Sequence, residues 1–97
     1  MRKCAESFFV DKLFIGTDGF SVETGFTGND YMRCEAVKDM ARQASKVMIV
    51  TESDKFHQKG ISSLIDLKQV TCIYTDQGIP QEIEEYFKEK HIQVEKV

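Results

Sequence analysis

The tetrapeptide Gly16-Thr17-Asp18-Gly19 stands directly after the apolar run Leu13-Phe14-Ile15. A short apolar run that empties into a glycine-flanked acid reads as a buried parallel strand with a carboxylate at its C-terminal edge, where open α/β sheets collect their ligands. An ionised Asp18 is acceptor-only, so it suits the hydroxyls of a polyol or phosphosugar and not the phosphates of DNA. Gly19 beside it lets the backbone turn or approach a ligand closely. The competing reading of the same residues is an Asp-Gly turn that binds nothing.

Strand-like and helix-like segments alternate along the rest of the chain: strand, long loop, helix, strand, loop, strand, helix, strand. Residues 13–16 form the first strand. Residues 31–44 read as a helix, because Cys34, Val37, Ala41 and Ala44 recur near helical spacing and Asn29 or Asp30 can cap its start. Residues 46–50 and 70–74 are strands rich in β-branched side chains. Pro80 opens a helix over residues 81–90 with its acids early and its lysines late, as the macrodipole favours. Ile92, Val94 and Val97 suggest a short final strand with Ile92 and Val94 on one face. Strands alternating with helices predict an α/β fold with a mostly parallel, Rossmann-like sheet flanked by helices. The glycine-containing stretches 16–29 and 57–60 read as loops.

A length of 97 residues allows one small domain, and 41% hydrophobic with 30% charged residues is enough for a core. The net charge of −3 opposes strong nucleic-acid binding by this segment. No apolar run approaches the roughly 20 residues of a membrane span, and Met1-Arg2-Lys3-Cys4-Ala5-Glu6 leads into no signal-type apolar core, so a cytoplasmic location is expected. Cys4, Cys34 and Cys72 are odd in number and far apart, which argues for reduced thiols and against a disulfide framework or a zinc motif. Cys72 reads as a small core residue. His57 and His91 lack a third ligand at metal spacing, so neither a metal nor a cofactor is expected. Phosphate-loop, dinucleotide and nucleophile-elbow patterns are absent from the sequence. Phe8-Phe9 and Tyr86-Phe87 read as packing residues.

Two further side chains are candidates for the same sheet edge. Glu35, in the first turns of the helix, can point back toward Asp18, and two carboxylates there could bind a polyol or transfer a proton. A solvated pair with Lys38 at i,i+3 spacing competes with that role. Lys55, in Thr51-Glu52-Ser53-Asp54-Lys55-Phe56, follows a strand and offers a cation to a phosphate or carboxylate. Glu52 and Asp54 could instead pair with it at the surface.

Taken in order, the segments Asp11 to Phe20, Gly25-Phe26-Thr27, Cys34-Glu35-Ala36-Val37-Lys38, Glu52-Ser53-Asp54-Lys55-Phe56 and Tyr74 to Pro80 resemble motifs of the C-terminal effector-sensing domain of DeoR-type bacterial transcription regulators. The resemblance spans nearly the whole chain and corresponds to the later half of that domain. It implies an incomplete version of a fold shared with ribose-5-phosphate isomerases and CoA transferases. It also implies that Asp18, Gly19, Glu35 and Lys55 line the pocket for a phosphorylated sugar or related metabolite. Gly19 replaces the second acid of the isomerases, and Glu52 and Asp54 depart from the family's Asp-Ser-Ser-Lys pattern, which implies binding without isomerisation and no catalytic residues.

The family's N-terminal helix-turn-helix and its early phosphate-cradling segment have no counterpart here. The chain therefore reads as a fragment that begins in a helix before the residue 13–16 strand, with DNA contacted only through that absent domain. The expected whole is a sugar-operon repressor that acts as a homo-oligomer. Two other readings compete: an aldose-ketose isomerase or CoA-transferase relative using Glu35 as base, and an oligomerisation module without ligand.

Overall fold

The apolar runs expected as strands pair side by side in parallel. In a computed structural model describing residues 10–97, β1 (Val10–Ile15), β4 (Ala44–Val50), β6 (Val70–Thr75) and β7 (Gln93–Lys96) form a four-stranded sheet in that order. Helix α1 (Tyr31–Ala41) precedes β4, and α2 (Gln81–Glu89) connects β6 to β7. The architecture is α/β with a parallel sheet flanked by helices, as the alternation predicted. The helix expected before the first strand, Cys4 and the Phe8-Phe9 pair lie outside the described residues.

The loops of the sequence reading contain a second sheet. β2 (Gly19–Ser21), β3 (Gly25–Gly28) and β5 (Ser62–Ile65) form a three-stranded antiparallel sheet in sequential order, with Phe20 opposite Phe26 and Phe26 opposite Ile65. Its strands have three or four residues each, and glycines that look like turn punctuation sit inside them. The β2–β3 hairpin closes through Ser21 and Thr24, whose hydroxyls lie 2.7 Å apart, followed by Gly25 at φ 77°, a left-handed conformation that favours glycine.

Helix α1 ends at Ala41, and Ala44 begins β4 opposite Val10, correcting the expected helix over residues 31–44. Ala44 fits the helical period, yet the Arg42 and Gln43 amides already close the last turn on Lys38 and Met40. Asp30 is the N-cap, its carboxylate accepting from the Arg33 amide at 3.3 Å.

The core joins the two sheets. Ile15, Ile49 and Ile73 of the parallel sheet cluster with Phe20 and Phe26 of the antiparallel sheet, Cys34 and Ala41 of α1, and Phe87 of α2. Phe87 lies 5.1 Å from Phe20 and stacks on Phe26 at 5.9 Å, ring centroid to centroid. Phe56 joins them from a 3-10 turn at Ser53–His57. Alternation puts Phe14, paired with Met48 and through it Cys72, on the opposite face of the parallel sheet. Cys72 is a buried core residue, as expected, on the face of the sheet opposite the main cluster.

Candidate functional site

The parallel register brings three strand ends into one row. Ile15 pairs with Ile49 and Ile49 with Ile73, so Thr17, Thr51 and Thr75 follow two residues beyond at the carboxyl edge. These threonines, with Glu52, Lys55 and Asp76, line a cavity of about 420 Å³. A second cavity of about 380 Å³, lined in part by Lys68, Lys90 and His91, lies at the amino end of β6. Volume does not separate the two. Strand polarity does, because ligands of open α/β sheets collect beyond the carboxyl ends of the strands.

Lys55 is held at this cavity by its neighbour. Phe56 is buried in the aromatic cluster, which pins the 3-10 turn, while the Lys55 amide donates to the Glu52 carbonyl at 3.1 Å. Among the described residues the ion pairs join Glu35 with Lys38, Asp39 with Arg42, and Glu84 with both Lys88 and Lys96. Lys55 takes part in none of them, so the expected competition from Glu52 and Asp54 does not occur in this arrangement.

The other expected site residues lie differently. Asp18 accepts the Asn29 amide on Oδ2 at 2.9 Å, tying the end of β1 to the segment entering α1. The close approach at Gly19 is to protein: a Cβ there would stand 2.5 Å from the Gln58 carbonyl oxygen, and the adjoining Phe20 amide donates to that oxygen at 2.8 Å. Glu35 places Oε2 3.1 Å from the Lys38 ammonium and does not line the cavity. Its position on the helix lets the i,i+3 lysine capture the carboxylate. Of the four residues expected to bind the ligand, Lys55 alone lines this cavity; Asp18, Gly19 and Glu35 lie outside its lining.

Asp76 and Arg33 were not singled out for this edge. The Asp76 carboxylate accepts the Ser53 amide at 2.9 Å and the Gly78 amide at 2.8 Å, joining the loops after β4 and β6. Hydrogen bonds from the Ser53 hydroxyl first, then from the Ser53 and Gly78 amides, hold its pKa below the ordinary aspartate value of 3.8. Arg33 reaches from α1 to the Gly16 carbonyl at 3.0 Å, bringing a second cation to the end of β1. A sequence signal for the threonines was present: Ile15-Gly16-Thr17, Ile49-Val50-Thr51 and Ile73-Tyr74-Thr75 repeat one pattern at successive strand ends.

Burial pushes the Cys34 and Cys72 thiols up, leaving both protonated at neutral pH, and both are free cysteines. Among the described residues no group of three His, Cys, Asp or Glu side chains could hold a metal ion. No helix among them is long and apolar enough to cross a membrane.

The sequence model of the DeoR C-terminal sensor domain matches residues 1–77. The chain is 26% identical over 89 residues to a putative aga operon transcriptional repressor of Escherichia coli O157:H7, covering 92% of this chain and 33% of that protein. It is 23% identical over 93 residues to the uncharacterized HTH-type transcriptional regulator YulB of Bacillus subtilis, covering 96% and 36% of the respective chains. It is also 23% identical over 87 residues to the HTH-type transcriptional regulator IolR of the same organism, covering 90% and 35%. The chain thus spans about a third of the length of these curated relatives. These relatives are transcriptional regulators, and the matching domain is a regulatory sensor, not an enzyme. On the family match and the parallel α/β sheet together, the chain belongs to the DeoR C-terminal sensor domain family.

Proposed function

We propose that this chain is the later part of the effector-binding domain of a cytoplasmic transcriptional repressor, and that its carboxyl-edge cavity takes a phosphorylated sugar or related metabolite. The observation that carries the reading is Lys55, a cation outside every described ion pair, beside hydroxyl-bearing strand ends. An unpaired ammonium suits a phosphate, and threonine hydroxyls suit a polyol. Arg33 at the end of β1 adds a second positive charge nearby.

In this reading DNA is contacted by a separate N-terminal helix-turn-helix, consistent with the net charge of −3 here and with relatives about three times as long. The effector controls DNA binding by preferring one state of a homo-oligomer, and a near-complete switch requires a preference of roughly 5.5 kcal/mol. The operon governed is one for sugar use.

Amide NMR titration of the chain with a panel of sugar phosphates tests the cavity even where binding is weak. Shifts concentrated at Thr51, Lys55 and Asp76, and lost in Lys55→Ala, are the expected result. No shift with any sugar phosphate, or shifts centred on Lys68 and Lys90, would overturn the reading.

A further inference from the structure

We propose that the Thr75 hydroxyl is the buried hydrogen-bond partner of the effector at the end of β6, selecting ligands that carry a hydroxyl at the position facing that strand. The proposal rests on the reading of the carboxyl-edge cavity as the effector site. Thr75 is 2% exposed and lines the cavity, yet its Oγ1 has no hydrogen-bond partner among the described residues. A buried hydroxyl without a bond destabilises a fold, and native structures rarely keep one without use.

Thr17 occupies the corresponding position on β1 and supplies the contrast. It is equally enclosed at 6% exposed, and its hydroxyl lies 2.9 Å from both the Gly19 and the Thr27 carbonyl oxygens, holding the β2–β3 hairpin against the strand end. Its role is structural. Thr51, between them, is half-buried, and among the described residues its hydroxyl bonds only the adjacent Glu52 carbonyl, at 3.3 Å. The same residue type at the same register is thus engaged by the protein on β1, weakly engaged on β4 and unengaged on β6.

Valine would fill the Thr75 position with nearly the same shape and without a polar atom to bury. The hydroxyl gains a use once a ligand group reaches it. Thr75, Thr51 and Lys55 then present two neutral hydroxyls and one cation. That set matches a polyol bearing one phosphate, the phosphate toward Lys55 and a hydroxyl toward β6.

The test compares wild type, Thr75→Val and Thr75→Ser by thermal unfolding without ligand and by amide NMR titration with ribose 5-phosphate, glucose 6-phosphate and fructose 6-phosphate. Thr75→Val is expected to raise the unfolding temperature and to weaken the best-binding probe by about tenfold or more, while Thr75→Ser keeps wild-type affinity. A lower unfolding temperature in Thr75→Val would mean that the hydroxyl serves the fold and would overturn the proposal. So would unchanged affinity in Thr75→Val, which leaves the cavity reading intact, or an equal loss in Thr75→Ser, which assigns the effect to packing. Failure of every probe to shift the wild-type cavity amides would remove the cavity reading and this proposal together.

Discussion

Asp76 shows how one side chain can support a site without facing the ligand as its main task. Both of its oxygens accept backbone amides from two different loops, and those bonds favour the ionised form. Its pKa in the folded chain is depressed, so the stability it contributes is complete above the ordinary value of 3.8 and is lost as pH falls through the lower folded value. Denaturant unfolding followed from neutral pH into this acid range should show wild type losing its advantage over Asp76→Asn. If the difference between them is independent of pH, the carboxylate's charge is not what the amides hold. Lys55 depends on a neighbour in the same way, because the buried Phe56 ring fixes the turn that carries the ammonium.

The end of α2 carries its own test at the scale of the element. The Ile92 amide donates to the Phe87 carbonyl at 2.9 Å and the His91 amide to Lys88 at 3.0 Å, the paired bonds of a Schellman ending. His91 takes the left-handed position at φ 63°, where glycine avoids the Cβ clash. His91→Gly should therefore stabilise the chain by about 1 kcal/mol, read as a rise in unfolding temperature of about 4–8 °C. A fall would show that the imidazole makes a contact worth more than the strain. Pro80, the early acids and the late lysine made this helix legible in sequence, because every cue is local. The strands β2, β3 and β5 were not legible: runs such as Gly19-Phe20-Ser21 are too short for a period-2 signal. Their pairing is decided by the nonlocal contacts of Phe20, Phe26 and Ile65.

For the molecule as a whole, the aromatic cluster is the joint between the two sheets. Phe87 is fully buried and touches Phe20, Phe26 and Phe56, drawn from the hairpin and the turn that carries Lys55. Phe87→Ala should cost about 3–5 kcal/mol and loosen both sheets in one transition, seen as coincident loss of far-UV and near-UV circular dichroism. Separate transitions would show that the sheets hold together independently. The parallel α/β class, the capped helices and the lysine at the strand edge were determined by the sequence alone, since each rests on local periodicity, capping chemistry or one residue beyond a strand. The tertiary structure decided which candidates meet. Glu35 is drawn to Lys38, Asp18 and Gly19 are spent on joining segments distant in sequence, and Thr17, Thr51 and Thr75 come into one row. The Glu35–Lys38 pairing was already offered by their i,i+3 spacing; the other outcomes depend on the register between strands far apart in the chain and on contacts between segments distant in sequence, and neither is written in the order of residues.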